Sequence, residues 1–170
     1  MLTMILAFDT HYKDQKAKTV CLSFENLTDE APKNVYSEII EGISEYEPGA
    51  FYKRELPCIL SLLKTIHVGK VNFIIVDGFD LLDDLGKLGL GGHLYESLNK
   101  EIPVIGVAKS NFYGISNNVI ELIRGNSIRP LYISSIGIEK EKAYQMIKSM
   151  SGNFRIPKLL KLLDTKTKEI

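Results

Sequence analysis

The stretch NFIIVDG at residues 72–78 decides the fold, because an unbroken apolar run ends abruptly at Asp77 and Gly78. A run that is apolar on both of its faces is typical of a parallel strand buried inside an α/β sheet. A second run of the same kind, MILAFD at residues 4–9, ends at Asp9. Open α/β sheets bind their ligands at the carboxyl ends of the strands. We therefore predict that Asp9 and Asp77 lie at the same edge of one sheet.

A third acid comes from the stretch YEPGAFYKRE, which ends at Glu55 just before a predicted helix with Pro57 in its first turn. Three converging carboxylates suit a hard divalent cation, because Mg²⁺ prefers oxygen ligands and keeps several of its waters. Two such ions about 3.5–4 Å apart activate a water and stabilise the leaving oxygen of a phosphodiester. The acids therefore predict metal-assisted phosphodiester hydrolysis. A single aspartate at a strand end is most often a turn residue, and a structural α/β protein with fortuitous acids is the simplest alternative.

The composition favours one globular domain over residues 1–170, with 45% hydrophobic and 25% charged residues. Lys+Arg and Asp+Glu both number 21, so any basic surface for a nucleic acid has to be local. The candidates for it are Lys53 with Arg54, Lys109, Arg124 with Arg129, and the lysine-rich tail at residues 158–168. Each of them alone is more simply explained as a solvated charge.

The two cysteines, Cys21 and Cys58, are isolated and form no metal-binding or redox motif. Isolated cysteines of this kind are typical of reduced core residues in a cytosolic protein, with a disulfide as the weaker option. No apolar run approaches the length of a membrane span. We expect a cytoplasmic protein that does not contact a membrane.

The order of the predicted elements indicates a mixed sheet covered by helices, with strand order 3-2-1-4-5. The predicted strands cover residues 4–8, 19–24, 34–40, 72–76, 103–108 and 130–133. The predicted helices cover residues 59–66, 94–98 and 139–150. Residues 111–129 are expected to form a β-ribbon or an irregular insert, and the lysine-rich tail is expected to be solvated or frayed. This order makes the first and fourth strands neighbours, so Asp9 and Asp77 face each other, as in the ribonuclease H-like fold.

Several motifs together resemble the endonuclease V family, the deoxyinosine-directed nucleases of DNA repair, along nearly the whole chain. Five residues of one motif stand in the family's register: Tyr46, Pro48, Gly49, Arg54 and Glu55. The other matching stretches are AFDT, VDG, LGLGGHL, IPVIGVAKSNFYG, RPLYIS and NFRIP. The resemblance implies an α/β, ribonuclease H-like fold and a Mg²⁺-dependent enzyme, with Mn²⁺ as substitute. It also implies cleavage of DNA or RNA on the 3′ side of inosine, one bond removed.

Carried over by position, the resemblance makes Asp9, Glu55 and Asp77 the catalytic metal ligands, with Lys109 as a catalytic residue on the substrate phosphate. Tyr46, Pro48 and Gly49 are similar to the wedge that separates strands near the lesion, which offsets the cost of unstacking a base. Arg54 is expected on the substrate side. Gly78 and the glycines at 89–92 are expected to let backbone N–H groups approach a flipped purine.

The chain departs from the family in two places. After VDG the family has a glycine and a His-Pro-Arg-Arg stretch, whereas this chain has FDLLDDL at residues 79–85. After the Tyr-x-Ser strand the family has a histidine near the metal, which this chain lacks. Both changes favour a rival hypothesis, a catalytically weakened endonuclease V-like protein that binds nucleic acid or a protein partner.

Overall fold

A computed structural model describes residues 3–43, 50–111 and 117–169. One sheet of seven strands has the order β3-β2-β1-β4-β5-β7-β6. The strands are β1 (Thr3–Lys13), β2 (Lys16–Phe24), β3 (Asn34–Glu41), β4 (Lys70–Asp77), β5 (Val104–Ala108), β6 (Ile120–Leu122) and β7 (Leu131–Ile136). The helices are α1 (Tyr52–Leu63), α2 (Leu90–Ser97), α3 (Lys140–Lys148) and α4 (Lys158–Thr167).

The predicted strand order 3-2-1-4-5 is confirmed, and β7 and β6 extend the sheet beyond β5. Strands β1, β2 and β3 form the expected antiparallel meander. Strand β4 pairs in parallel with β1 on one side and with β5 on the other. The helical crossover before β4 produces this central parallel arrangement, because parallel neighbours cannot be joined by a tight turn.

The sheet is buried on both faces, which explains the continuous apolar runs of its central strands. Within β1, Ile5 belongs to the cluster that packs on α3 and α4, whereas Leu6 belongs to the cluster that packs on α1 and α2. Successive side chains of a strand point to opposite faces, so β1 contributes to both layers of the core. The central strands are therefore rigid supports for residues at their carboxyl ends.

Helix α1 begins at Tyr52, earlier than predicted, so Glu55 lies in the first turn of the helix and not before it. Pro57 therefore lies inside the helix. The prediction that it occupies the first turn was wrong. The apolar periodicity that predicted the helix starts only at Ile59, because the preceding turn carries the charged residues of the candidate site. Helix α2 likewise begins earlier than predicted, at Leu90, because its first turn is built from glycines.

The prediction of a solvated or frayed tail was wrong, since residues 158–167 form α4. Leu159 and Leu163 are buried one turn apart in the same core cluster as α3. The tail at residues 158–168 holds four lysines and four leucines, and Lys158 and Lys161 lie on the exposed face of an amphipathic helix. A long apolar stripe of this kind is stabilised by tertiary packing more than by helix propensity.

The region from 111 to 129 contains the short strand β6 at the edge of the sheet. Part of the expected ribbon or insert, residues 112–116, lies outside the described residues. Helix α3 is close to the prediction but two residues shorter at its C-terminal end, and α4 follows it.

Both Cys21 and Cys58 are buried free thiols, which agrees with their expected role as small core residues. Within the described ranges 3–43, 50–111 and 117–169, none of the helices has the length and apolar character needed to span a membrane.

Candidate active site

The register of the central strands brings Asp9 and Asp77 side by side. The parallel ladder between β1 and β4 ends at the pair Phe8 and Val76, and the next residue of each strand is the acid. Asp9 was expected to end its strand. It does not, because β1 continues to Lys13 along β2. The two aspartates therefore lie just beyond the last parallel pair, at the carboxyl edge of the sheet.

Helix α1 presents Glu55 to the same place. Glu55 is only 2% exposed, and its Oε2 atom has no hydrogen-bond partner among the described residues. Burial raises the pKa of Glu55 well above its ordinary value, and the negative charges of Asp9 and Asp77 raise it further. The three acids thus form one electrostatically coupled group, although they are far apart in the sequence.

The same repulsion acts on the two aspartates. Burial raises the pKa of Asp9 to about 7, with a further contribution from the charge of Asp77. Burial also raises the pKa of Asp77, although the nearby ammonium of Lys109 opposes the shift. Like charges brought together in a poorly solvated place favour protonation unless a cation compensates them. With all three acids ionised, the site would carry more negative charge than the ammonium of Lys109 neutralises.

Lys109 follows β5 and lies between two acids. Its Nζ atom is 3.6 Å from Asp77 Oδ2 and 3.5 Å from Asp164 Oδ1. Lys109 was expected at this rim, either contacting a phosphate or merely neutralising the acids, and the structure places it in contact with the acids. Asp77 and Val107 are paired across β4 and β5, which brings Lys109, two residues further along, to the same edge.

Sequence reasoning missed Asp164, which α4 carries to this edge. Its carboxylate accepts from Lys109 and also pairs with Lys168 at 3.1 Å, and these cations lower its pKa against the effect of burial. The signal that could have found it is the spacing of Leu159, Leu160 and Leu163 after Pro157, which predicts an amphipathic helix with a proline just before it. Asp164 becomes a fourth candidate acid of the site.

The donor set fits a hard divalent cation. The buried carboxyl groups of Asp9 and Glu55 and the half-exposed one of Asp77 offer the oxygen ligands and the negative charge that suit Mg²⁺, and one Glu55 oxygen has no hydrogen-bond partner among the described residues. A cavity of ≈ 20 Å³ lies between Asp9, Asp77 and Lys109 on one side and Leu160 of α4 on the other, which is room for about one water molecule. Among the described residues, no group of three His, Cys, Asp or Glu side chains is yet arranged to hold a metal ion. The Lys109 ammonium is the cation paired with Asp77 here.

The expected substrate-side residues are only partly described. Arg54 lies on α1 with its guanidinium carbon 3.6 Å from the ring centroid of Tyr12, so it packs inside the molecule beside Glu55. The wedge residues Tyr46, Pro48 and Gly49 lie outside the described residues, and their predicted role stays a prediction.

Gly78 takes a left-handed φ of +138°, and its N–H donates to Val107 O at 3.2 Å. This N–H extends the sheet and is already bonded, whereas the sequence had suggested that it approaches a purine. The glycines before and within α2 are bonded in the same way, because the N–H groups of Gly89 and Gly92 donate to the Asp80 carbonyl. Their missing side chains let α2 lie directly on the backbone that follows Asp77.

The acids that replace the family's basic stretch are used by the fold. Asp83 Oδ1 accepts from the N–H groups of Leu85 and Lys87 at 2.9 and 3.0 Å. Asp84 Oδ1 accepts from the N–H of Asn117 at 2.8 Å. These carboxylates organise the loop before α2, at the place where the family has basic residues that suit a phosphate backbone.

Asp80 is a fully buried acid between α2 and β5. Its N–H donates to Ser134 Oγ at 3.0 Å, but neither carboxyl oxygen has a hydrogen-bond partner among the described residues. Burial raises the pKa of Asp80 well above its ordinary value, and the nearby Gly106 N–H offsets only part of that effect. The fold therefore favours the protonated form of this carboxyl group.

We expect Gly91→Ala to destabilise the protein by about 1–3 kcal/mol, because the added carbon would overpack the site. A Cβ at Gly91 would lie 1.6 Å from Asp80 Oδ1 and 3.1 Å from Val104 Cγ1. Chemical denaturation of Gly91→Ala, Asp80→Ala and the double variant measures the coupling. If the two losses simply add, the direct contact between these residues is excluded.

The comparisons with known proteins identify the family of the chain. The family model described as Endonuclease V matches residues 1–123, which is most of the chain. The chain belongs to the endonuclease V family. Endonuclease V of Thermus thermophilus is 25% identical over 184 aligned positions, which cover 93% of this chain and 78% of the relative. The chain is therefore a member of a nuclease family.

Solved endonuclease V structures share the fold. Human ENDOV is 24% identical with a TM-score of 0.76, covering 99% of this chain and 84% of that one. Endonuclease V of Ciona intestinalis, solved with a 24mer DNA containing an inosine followed by a ribo-adenosine, is 16% identical with a TM-score of 0.79. That alignment covers 98% of this chain and 84% of the Ciona chain. The expected ribonuclease H-like architecture of the family is confirmed.

The crowding of the acids predicts a pH dependence of the metal-free protein. The pKa of Asp9 is raised from 3.8 to about 7, so between these values the folded state holds a proton that the unfolded state has released. Its contribution is therefore most favourable below the unfolded value and is lost as the pH rises to about 7. The slope for this proton is at most about 1.4 kcal/mol per pH unit.

We expect calorimetry in EDTA to show a melting temperature that falls between about pH 5 and pH 8, and a shallower fall for Asp9→Asn. The control Asp14→Asn should keep the original slope, because Asp14 lies in the turn after β1 with a φ of 52° that Asn also tolerates. Equal slopes for the parent protein and Asp9→Asn would show that the pKa of Asp9 is not raised in the folded protein.

Proposed function

We propose that this protein is a Mg²⁺-dependent endonuclease that hydrolyses a phosphodiester near inosine in DNA or RNA. The observation that carries the proposal is the adjacency of Asp9 and Asp77 beyond the last parallel pair of β1 and β4, with buried Glu55 facing them. Membership of the endonuclease V family supports the reaction class. The inosine specificity rests on the resemblance of the motifs and on relatives such as the Ciona enzyme solved with inosine-containing DNA.

Asp9, Glu55 and Asp77 are the residues that would hold Mg²⁺, with Mn²⁺ as substitute. The bound cation lowers the pKa of a water molecule and stabilises the charge on the leaving oxygen. The carboxylates orient the site and remain ionised once their charge is compensated. Their positions on rigid strand ends and on the first turn of α1 hold the geometry before the substrate arrives.

Lys109 would contact the substrate phosphate beside Asp77. Its ammonium is already 3.6 Å from Asp77 Oδ2, so a phosphate oxygen held next to that acid lies within its reach. Asp164 on α4 anchors the ammonium from the other side at 3.5 Å. We propose that Asp164 adds a fourth carboxylate to the acidic group, in a chain that lacks the family's histidine. Tyr46, Pro48 and Gly49 remain the proposed wedge, and Arg54 and Gly78 remain proposed substrate-binding residues next in sequence to Glu55 and Asp77.

The decisive experiment incubates the purified protein with oligonucleotides that carry one inosine. Single-stranded and double-stranded DNA and RNA are each tested with Mg²⁺, with Mn²⁺ and with excess EDTA, beside matched adenosine controls. The expected result is a nick on the 3′ side of inosine, one bond removed, only when a metal ion is present. Cleavage that persists in EDTA, or cleavage that ignores inosine, would refute the proposal.

The acidic loop and the missing histidine favour the rival hypothesis of a weakened, binding-only protein. The same samples decide it, because fluorescence anisotropy on the same oligonucleotides reports binding without chemistry. Tight inosine-dependent binding without cleavage under any metal condition would support the rival. We also propose a cytoplasmic location, because both buried cysteines are free thiols, as is usual in a reducing compartment.

A further inference from the structure

The surface beside Lys109 carries an exposed aromatic side chain on a firmly held loop. Phe154 is 80% exposed, in the segment between α3 and α4. Its carbonyl accepts from Arg124 Nη1 at 2.7 Å. Gly125 lies against the same backbone, where a Cβ would come within 3.1 Å of Phe154 Cα. These contacts hold the backbone of the loop in place, and the phenyl ring of Phe154 is exposed to solvent.

Arg155 follows Phe154 in the chain, and a hydrogen bond joins it to a second arginine, Arg129. Arg155 donates from Nε to Arg129 O at 3.1 Å and from Nη2 to the carbonyls of Pro130 and Lys109. Burial and the positive charge of Arg129 both lower the pKa of Arg155, and the hydrogen bond from Arg155 Nε to the Arg129 carbonyl makes the two residues neighbours in space. Neither guanidinium forms an ion pair within the part of the chain that the structure describes. Their charge is therefore uncompensated at the surface.

The position of these residues relative to the site is defined by the hydrogen bonds. Arg155 bonds to the main chain of Lys109, whose side chain contacts Asp77 and Asp164. Ile128, next to Arg129, is 93% exposed and adds apolar surface to the same edge. We call Ile128, Arg129, Phe154 and Arg155 the C-terminal rim. The loop that follows Asp77 carries the acids Asp83 and Asp84, whereas the rim carries two arginines.

We propose that the C-terminal rim binds an unpaired segment of the substrate strand, with one base stacked on Phe154 and its phosphates against Arg129 and Arg155. This inference rests on the proposed function and adds the strand state of the substrate to it. Aromatic platforms beside a positive groove are the usual means of holding single strands, because every base offers a face for stacking. A duplex keeps its bases stacked on each other and would leave the phenyl ring unused.

The test measures binding of an inosine-free single strand by fluorescence anisotropy in EDTA, so that no cleavage interferes. Phe154→Ala is expected to weaken this binding at least about fivefold, whereas binding of a duplex of the same sequence changes little. Phe154→Tyr is expected to keep the affinity, because it keeps the aromatic face. Ile39→Ala, at a half-exposed position on β3 at the far end of the sheet, is the matched control for lost apolar surface.

The charge contribution is tested by the salt dependence of the same equilibrium. Arg129→Ala is expected to reduce the slope of log K against log salt concentration by about 0.7, the value for one phosphate of a single strand. Lys70→Ala, at the opposite end of β4, should leave the slope unchanged.

If the parent protein cleaves at inosine but Phe154→Ala and Arg129→Ala bind the single strand like the parent, the rim proposal is overturned and the proposed function stands. Absence of any single-strand binding by the parent protein also overturns the rim proposal. Binding that depends on the rim without cleavage supports the rim and removes the proposed function. A change in the oligomeric state of Phe154→Ala, with unchanged binding, would assign the rim to self-association instead.

Discussion

We expect Asp77→Asn to cleave an inosine-containing oligonucleotide about a thousandfold more slowly than the parent protein, with its fold preserved. Asn keeps the shape of the side chain but removes the charge that a hard cation needs. A bound cation contributes several kcal/mol of stabilisation to the transition state, and each 1.4 kcal/mol corresponds to about tenfold in rate. Single-turnover cleavage assays with Mg²⁺ and with Mn²⁺ measure the loss directly.

The fold of this variant is expected to be at least as stable as that of the parent without metal. Burial raises the pKa of Asp77, so removing its charge relieves an unfavourable arrangement. Asp14→Asn makes the same chemical change in an exposed turn outside the site and should cleave at the parent rate. Undiminished cleavage by Asp77→Asn would show that the catalytic metal is held elsewhere.

We expect Arg124→Ala to lower the free energy of unfolding by about 3–5 kcal/mol, the largest loss of stability among the variants considered. Arg124 is 8% exposed. Its Nη2 donates to Met150 O at 2.7 Å and to Gly152 O at 3.1 Å, while Nη1 bonds to the carbonyls of Phe154 and Arg155. Removing the guanidinium leaves these carbonyls without a donor and frees the segment that leads into α4.

Arg129→Ala is the matched control, because Arg129 is an exposed arginine a few residues further along the chain. Its stability should stay within about 0.5 kcal/mol of the parent. Urea denaturation of the two variants gives the comparison. A small loss of stability for Arg124→Ala would mean that other contacts hold the loop. Arg124 would then again be a candidate for the basic surface that binds a nucleic acid, a role that its burial argues against.

The sequence predicted the centre of the fold well because its signals there are physically simple. The runs ending at Asp9 and Asp77 are apolar on both faces, and only a central strand of a covered sheet satisfies that pattern. The short connections of the first three strands permit a meander, and the segment before residue 72 is long enough for a helical crossover. These facts are compatible with the order 3-2-1-4-5, and that order brings the two acids together.

The errors have a common physical cause, which is that local composition conceals tertiary packing. The turn that carries Arg54 and Glu55 has a polar sequence, yet Glu55 is buried and lies near the other acids. The tail after Pro157 looks solvated, yet its leucines pack on the sheet and bring Asp164 to Lys109. The pattern of apolar residues in one sequence predicts which face of a helix or strand is buried. It does not predict which residue a charged side chain pairs with, or whether a carboxylate is buried.

The acids in the loop after Asp77 were also difficult to interpret from the sequence. Its acids appeared to be losses of function, because they replace basic residues of the family. The structure shows that Asp83 and Asp84 bind backbone N–H groups, whereas Asp80 is enclosed by α2 and β5. Only coordinates distinguish a charge aimed at a substrate from one that organises a loop.

The most direct test of the central claim is a titration of the protein with Mn²⁺ near pH 8, followed by electron paramagnetic resonance of the free ion. We expect saturable binding that is lost in Asp9→Asn and in Asp77→Asn, weakened in Glu55→Gln, and unchanged in Asp14→Asn. Binding that survives both aspartate substitutions, or no binding by the parent protein, would contradict the claim that these three acids form one site for a hard cation.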